Sequence, residues 1–296
     1  MTDQAPASAV AAADRGRPPT EPALGGKLRR SGRPRLGEWS LRVVAGCFVL
    51  FLALPVVALL VRSITGRALG AAVTTPAVLD ALVLSLATTA ISLVLTVALG
   101  LPLAFVMARR TFRGSWLVES IVDLPIVLPP AVAGLGLLLV FGRRGLIGEP
   151  LGLGIPFTTV AVILAQTFVA APFFIRSARA GIRGVDGHFE DAARVDGASE
   201  LQLFRLITAP LAGTALAAGL VMTWARALGE FGATIMFAGN IEGRTQTLPL
   251  LVYAEFNAGD LDAAIAAAAI LVLAAFGVLV AVRVFHWGRA LDARGL

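Results

Sequence analysis

The sequence predicts an all-α, polytopic membrane protein with six transmembrane helices. Hydrophobic residues make up 57% of the 296 residues and charged residues only 15%, whereas a soluble domain carries about 25% charged residues. The apolar residues form six runs that are long enough to be membrane spans, since a helix needs roughly 20 residues to cross a bilayer. The arginines flank these runs rather than covering a polar surface, which is the arrangement expected of membrane helices and their connecting loops.

The six runs differ in length and in proline content. The second is longer than one span, so we expect it to tilt or to project into water. The third contains Pro125, Pro129 and Pro130, and because proline removes a backbone donor and clashes with the preceding turn, we expect a kink or a break there. Two interpretations of Pro129 and Pro130 are compatible with the sequence. The prolines form either a kink that the membrane helix tolerates or a break that lines a substrate pathway. The runs lie at Leu41–Val61, Val78–Met107, Trp116–Phe141, Phe157–Ile175, Ile207–Trp224 and Ala263–Val284.

The positive charges predict how the chain is oriented. With the N-terminus inside, 19 of the 25 Lys and Arg residues fall in cytosolic segments, so both termini are expected in the cytosol. The first 40 residues show no apolar periodicity and predict a disordered cytosolic tail. We therefore divide the chain into a tail at 1–40, a first transmembrane helix with its external loop at 41–75, a transmembrane domain at 76–285 and a cytosolic tail at 286–296.

Several functional classes are disfavoured by the residues present. Cys47 is the single cysteine, and His188 and His286 lie far apart, so the sequence predicts neither a disulfide framework nor a metal site. A membrane enzyme would need a cluster of histidines, cysteines or acids. The sequence has no Gly-x4-Gly-Lys-Ser/Thr phosphate loop. Its basic character reflects membrane topology, and no nucleic-acid partner is expected.

A short charged segment between the fourth and fifth runs carries the most specific signal. Glu190 and Asp191 lie near the start of a predicted helix, where acids complement the helix dipole. Ala192 and Ala193 are small enough for a partner backbone to approach, and Gly197 allows the chain to turn. The charge distribution places this loop in the cytosol. An ordinary amphipathic loop is the alternative interpretation.

The spacing of this segment resembles the coupling loop of binding-protein-dependent ABC importer permeases. The family pattern reads Glu-Ala-Ala, three residues, Gly, nine residues, Ile, any residue, Leu-Pro. Here Asp191 replaces the Glu and Ala209 replaces the Leu, while the other positions match. The resemblance implies the type I importer permease fold. It assigns coupling to an ATPase subunit to Glu190, Asp191, Ala192, Ala193, Asp196, Gly197, Ala198, Ile207 and Pro210.

A second block, after the fifth run, resembles the molybdate permease subunits of that family. These share Gly-Glu-Phe-Gly-Ala-Thr, found here at Gly229–Thr234, and Thr-Gln-Thr-Leu-Pro, found at Thr245–Pro249. Leu124–Pro130 and Phe141–Gly145 also resemble that subfamily. Sulfate permeases carry similar sequences and remain the closest competitor. We take as candidate pathway or gate residues Arg226, Glu230, Thr234, Asn240, Thr245, Gln246, Thr247, Pro129 and Pro130.

The physical basis of these pathway candidates is hydrogen-bond donation and charge. Arg226 and Glu230 are four residues apart and share a helix face, so they are able to pair. Thr234, Asn240 and Thr245 offer donors suited to an oxyanion. The same polar residues, with Gln246 and Thr247, would serve equally well as loop-capping residues.

The resemblance also implies an assembly. Cytosolic ABC ATPase subunits would bind ATP and Mg, an external oxyanion-binding protein would deliver substrate, and a second permease copy would complete a homodimer in a bacterial plasma membrane. This chain itself would be no enzyme and would bind no cofactor or metal. Molybdate is the expected substrate, with tungstate possible and a sulfate or thiosulfate permease as the alternative. A secondary anion transporter is a weaker alternative because the acids lie mostly at span ends.

Overall fold

The part of the protein that the structure describes is built from helices joined by turns and loops. The computed structural model describes residues 36–66, 70, 75–110 and 112–292. No β-strand occurs among them, in agreement with the predicted all-α class. The helices are α1 (Leu36–Thr65), α2 (Pro76–Arg109), α3 (Ser115–Val127), α4 (Pro130–Phe141), α5 (Thr159–Arg183), α6 (Gly187–Val195), α7 (Glu200–Leu203), α8 (Ala209–Leu211), α9 (Gly213–Leu228), α10 (Gly232–Phe237), α11 (Leu248–Ala258) and α12 (Leu261–Asp292), with a π-helical turn at Phe204–Thr208 between α7 and α8.

The apolar runs correspond to four unbroken helices and two bent pairs. Within the described residues, α1, α2, α5 and α12 are long and apolar enough to cross a membrane. The number rises to six if each bent pair is counted as one span. The first pair is α3 with α4, bent by 117°, and the second is α7–α8 with α9, bent by 77°. The polytopic architecture is therefore the one predicted, with two spans interrupted.

The prolines of the third run mark its break. Helix α3 ends at Val127, and α4 begins at Pro130 with Pro129 as its N-cap residue. Proline suits the first helical position because its missing N–H would have no intrahelical partner there. Pro125, by contrast, is accommodated inside α3. The predicted break is confirmed and lies at Pro129 and Pro130.

Several element boundaries differ from the sequence interpretation. Residues 36–40, assigned to the disordered tail, already form the first turns of α1, while residues 1–35 lie outside the described part of the chain. Helix α12 continues to Asp292, through most of the expected C-terminal tail. The fifth run was expected to begin its span at Ile207, but residues up to Leu211 precede the 77° bend.

The centre of the fold is the pairing of α2 with α5. Helix α2 turns a face of small and hydroxyl residues inward, and its members are buried: Ser85, Thr88, Thr89, Ser92, Thr96 and Gly100. Thr167 of α5 donates to Ser92 at 3.0 Å between hydroxyl oxygens. A Cβ added at Gly100 would lie 3.0 Å from Ile175 of α5. Small residues let membrane helices approach closely enough for packing and interhelical hydrogen bonds to hold them together.

The compact units of the chain divide within α1. Of the described residues, those up to Leu52 form one unit and those from Ala53 onward form the other. The loop and pathway residues predicted from sequence all belong to the second unit.

Candidate coupling loop and substrate pathway

The loop helix α6 is a short helix with defined caps. Asp186 is its N-cap residue, and its carboxylate accepts a hydrogen bond from the His188 N–H at 3.0 Å. At the other end the Ala198 N–H donates to the Ala193 carbonyl at 2.9 Å. Gly197 has φ of +85°, a left-handed conformation that glycine adopts without a steric penalty. The predicted turn at Gly197 is therefore present.

One face of the loop helix exposes apolar side chains. Phe189 is 59% exposed and Val195 is 88% exposed, and Ala192 between them is also exposed. These three side chains are spaced three residues apart, so they share one exposed face of α6.

Glu190 points the other way and is buried. Its Oε1 forms an ion pair with Arg109 at the end of α2. The same oxygen accepts a hydrogen bond from the Thr208 hydroxyl at 2.8 Å. The Arg109 guanidinium also donates to the Val185 carbonyl at 3.4 Å. One buried carboxylate thus joins the loop helix, α2 and the π-helical turn.

Asp191 takes no part in this buried cluster. Its exposed carboxylate pairs with Arg194 at 2.9 Å, and Arg194 also contacts Glu200 at 3.0 Å. The hydrogen bond from Arg194 to Glu200, followed by weaker interactions with Asp191 and Glu190, raises the pKa of Arg194 above its ordinary value. Through these contacts Arg194 ties the loop helix to α7 across the Gly197 turn.

The remaining loop candidates lie between the loop helix and α9. Ser199 and Gln202 form a capping box at the start of α7. Ile207 belongs to the π-helical turn and Pro210 to α8. A π-helical turn places one extra residue in a helical segment and is frequent at functional sites. Here it brings the Thr208 hydroxyl onto Glu190.

The pathway candidates Arg226 and Glu230 lie where α9 ends. Their charged groups approach to 2.6 Å between Nη2 and Oε2, although Oε2 accepts no hydrogen bond of normal geometry. Glu230 is 1% exposed, and its Oε1 accepts a hydrogen bond from the Ala233 N–H at 2.7 Å. The carboxylate therefore caps α10 and neutralises Arg226. The pairing expected from the four-residue spacing is observed.

The Pro129–Pro130 break and the break between α9 and α10, at Glu230, meet at this point. A Cβ added to Gly232, the first residue of α10, would lie 2.7 Å from the Pro130 Cβ. A Cβ added to Gly134 of α4 would lie 2.5 Å from the Ala233 carbonyl oxygen. The structure thus brings the Pro129–Pro130 break together with the Glu230 break through contacts that only glycine permits.

The polar candidates in α10 and in the loop that follows it fall into two groups. The Thr245 hydroxyl accepts a hydrogen bond from the Ile241 N–H at 2.9 Å, and Asn240 donates to the Leu250 carbonyl at 3.3 Å, so both stabilise the loop. The Thr234 and Thr247 hydroxyls are buried and make no hydrogen bond to any described residue. Gln246 is half-buried. Thr234 and Thr247 are therefore buried donors that retain unused hydrogen-bonding capacity.

Comparison with known proteins decides the family. Residues 100–291 match the family described as the binding-protein-dependent transport system inner membrane component. The chain belongs to this permease family. The molybdenum transport system permease protein ModB of Mycobacterium tuberculosis is 42% identical over 245 residues, covering 82% of this chain and 91% of that protein. The ModB protein of Escherichia coli strain K12 is 40% identical, covering 59% of this chain and 78% of the relative.

Solved importer structures share the permease fold. A bacterial ABC transporter that imports the acidic polysaccharide alginate aligns with a TM-score of 0.68 at 17% identity, covering 86% of this chain and 96% of that one. The MetNI methionine ABC transporter, in an inward-facing conformation, aligns with a TM-score of 0.55 at 20% identity, covering 70% of this chain and 94% of that one. The fold is thus that of ABC importer permeases.

Sequence reasoning missed two features of this permease. Arg109 and Thr208 were not recognised as partners of Glu190, because their sequence separations of 81 and 18 residues leave no local pattern. The hydroxyl face of α2 was also missed, although its three- and four-residue spacing is readable in the sequence. Among the described residues, no group of three His, Cys, Asp or Glu side chains is placed to hold a metal.

Proposed function

We propose that this permease is the membrane-spanning subunit of an ATP-driven importer of oxyanions, with molybdate as its substrate. The observation that carries the proposal is the 42% identity with a molybdenum transport permease over nearly the whole of that protein. The capped loop helix with its exposed apolar face supports a coupling role. ATP and Mg would bind to the partner ATPase subunits, because the chain has no phosphate loop of its own.

The loop helix would dock in a groove of the ATPase subunit. Phe189, Ala192 and Val195 would enter the groove, since burying exposed apolar side chains of this size favours association. Asp191, Asp196 and Arg194 would lie around the apolar contact, where charged groups set orientation more than affinity. Glu190 faces inward and would not touch the ATPase subunit. This arrangement supports a coupling contact between a small rigid helix and a moving partner.

The pathway would pass the Pro129–Pro130 break and the Glu230 break between α9 and α10. Molybdate is a divalent tetrahedral anion, so donors and positive groups favour its passage. The attraction of one uncompensated charge at 4 Å is about 4 kcal/mol per unit charge at an effective dielectric constant of 20. Arg226 alone would therefore hold a divalent anion firmly. Its pairing with Glu230 would reduce this attraction and keep the passage transient, with Thr234 and Thr247 offering weak neutral donors.

The assembly would contain two copies of this permease around a central pathway. An external binding protein would deliver the anion, as the alginate transporter solved with a substrate-bound periplasmic protein illustrates for that system. The prediction is two permease chains for each pair of ATPase subunits in the bacterial plasma membrane. Native mass spectrometry of the active complex measures the ratio, and one permease per two ATPase subunits would contradict it.

Uptake in reconstituted vesicles tests the function. The chain is reconstituted with its ATPase and binding protein, and ATP-dependent uptake of radiolabelled molybdate, tungstate and sulfate is measured. We expect molybdate to accumulate and excess sulfate to compete poorly. An ATPase variant unable to hydrolyse ATP is the control and should abolish uptake. Preferential sulfate uptake would establish the alternative substrate, and accumulation without ATP would support a secondary anion transporter.

A further inference from the structure

The buried Glu190 carboxylate connects the loop helix to the longest helix of the second unit. Arg109, its ion-pair partner, is the last residue of α2. Arg109 is anchored in turn by the Val185 carbonyl just before the loop helix. A nine-residue helix has little stability of its own, so these contacts and the bond to Thr208 fix the orientation of α6. Any rotation of α6 must therefore move the end of α2 or break an ion pair.

The other part of α2 contacts the start of α11, directly after Thr245–Thr247. We call Thr245–Thr247 the outer-mouth loop, because the predicted topology places it on the external side of the membrane. The Leu248 N–H donates to the Ser85 hydroxyl at 2.7 Å, and both groups are buried. Leu248 directly follows Thr247 and begins α11. Ser85 and Arg109 are 24 residues apart in one helix, which contains Pro102 but is not interrupted there. This separation corresponds to about 36 Å along the helix at 1.5 Å per residue. Helix α2 thus touches the loop helix at one end and the Thr245–Thr247 loop near the other.

The covalent path from the loop helix to the membrane is less direct. It passes the Gly197 turn, the π-helical turn and the 77° bend before reaching α9. Each of these features is a point where backbone angles can change. The path through Glu190 and Arg109 enters α2 directly, and α2 is held along its length by α5 through Thr89, Ser92 and Gly100.

We propose that Glu190 and Arg109 are positioning residues that convert movement of the loop helix into movement of α2, which carries it to the outer-mouth loop at Ser85 and Leu248. The proposal rests on the proposed function, in which the loop helix docks on an ATPase subunit. Glu190 does not touch ATP or substrate, and acts through α2. Nucleotide-driven movement of the ATPase therefore reaches the outer loop through one salt bridge and one hydrogen bond.

A set of variants in the reconstituted complex tests this path. Glu190→Gln and Arg109→Gln each remove one charge of the pair, and the double variant removes both. We expect each single variant to lower molybdate uptake, and the stimulation of ATP hydrolysis by loaded binding protein, by at least about fivefold. The double variant should be no worse than either single variant, because both residues serve one contact. Glu149→Gln, which removes an exposed carboxylate outside the loop helix and outside the candidate pathway residues, is the control and should transport normally.

A second measurement does not depend on the substrate. In a Cys47→Ala background, a cysteine at position 246 reports the outer-mouth loop through its rate of labelling by a thiol reagent in nanodiscs. Adding a non-hydrolysable ATP analogue to the complex should change this rate in the parental protein. The change should be lost in Glu190→Gln, Arg109→Gln and Ser85→Ala. Labelling that still responds to nucleotide in all three variants would overturn the proposal.

The two measurements separate this inference from the proposed function. If the parental complex imports no molybdate but its labelling responds to nucleotide and Glu190→Gln abolishes the response, the substrate assignment fails and the α2 path stands. If molybdate is imported equally by the parental and Glu190→Gln proteins, the path is wrong and the function stands. Should the single variants fail to accumulate, Glu190→Met combined with Arg109→Met removes both charges without leaving one buried and unpaired. Parental uptake in that protein would also overturn the proposal.

Discussion

Gly232 lies so close to Pro130 that a Cβ on the glycine would be 2.7 Å from the Pro130 Cβ. Gly232 begins α10, after the break at Glu230, and Pro130 begins α4, after the Pro129–Pro130 break. Helix starts packed this tightly leave no room for a side chain. The proline of one break and the glycine of the other thus define a single contact beside the Arg226–Glu230 pair.

Replacing Gly232 with alanine should weaken this contact. Overpacking of this kind typically costs about 1–3 kcal/mol, so we expect a lower thermal unfolding temperature of the purified protein and reduced uptake. Gly229→Ala is the control, because a Cβ there would lie 3.5 Å from the Ala225 carbonyl oxygen, an ordinary contact. Equal unfolding temperatures for the two variants would show that the α4–α10 contact accommodates an additional methyl group without loss of stability.

Replacing Gly197 with valine should abolish uptake while the protein still inserts in the membrane. The backbone at Gly197 has φ of +85°, and a β-branched residue is strained there by roughly 1–2 kcal/mol. A Cβ would meet no described atom within 4 Å, so the effect comes from the backbone alone. Membrane expression, ATPase co-purification and uptake are the measurements. Gly197→Asn tolerates this conformation and should retain most of the activity; parental transport by Gly197→Val would refute the coupling assignment.

Cysteine labelling should establish the orientation. In the Cys47→Ala background, a cysteine at position 188 should react with an impermeant reagent only from the cytosolic side, because positive residues favour that side. A cysteine at position 246 should react only from outside. Intact cells expose the external side to the reagent, and inverted vesicles expose the cytosolic side. The opposite labelling pattern would contradict the proposed topology.

The Arg226–Glu230 pair should be more sensitive to losing one charge than to losing both. Arg226→Gln leaves a buried carboxylate without its partner, a change that costs about 3–5 kcal/mol, so we expect low yield. Glu230→Gln leaves Arg226 uncompensated and should slow molybdate release and reduce turnover. The double Gln variant should recover yield above that of Arg226→Gln. The measurements are the yield of purified protein and molybdate uptake. A double variant with a lower yield than both single variants would argue against direct pairing.

The sequence predicted the helical membrane fold well because its signals are local. Apolar run length, the prolines near residue 129 and the four-residue spacing of Arg226 and Glu230 each depend on neighbouring residues. Sequence also predicted the Gly197 turn. It could not show that Glu190, rather than Asp191, is buried, because the difference depends on Arg109, which lies 81 residues away. The contact of Gly232 with Pro130 likewise depends on how two bends pack together.

Helix α10 was not predicted from the sequence, because its recognition also depends on the folded structure. It has only six residues, fewer than two helical turns, so apolar periodicity cannot reveal it. Its start is stabilised by the Glu230 carboxylate, which accepts from the Ala233 N–H. The sequence contained that carboxylate, but its spacing suggested only a salt bridge to Arg226. The structure shows that one side chain does both.

The pairing of Arg226 with Glu230 also has a consequence for membrane voltage. A charge crossing the membrane potential gains or loses about 2.3 kcal/mol per 100 mV. Because the pair carries no net charge, its movement during opening and closing is electrically silent. A divalent anion entering a cell whose interior is negative must instead be moved against about 4.6 kcal/mol per 100 mV, twice the single-charge value. The electrical work of the transport cycle therefore falls on the substrate, and the protein contributes almost none of it at this position.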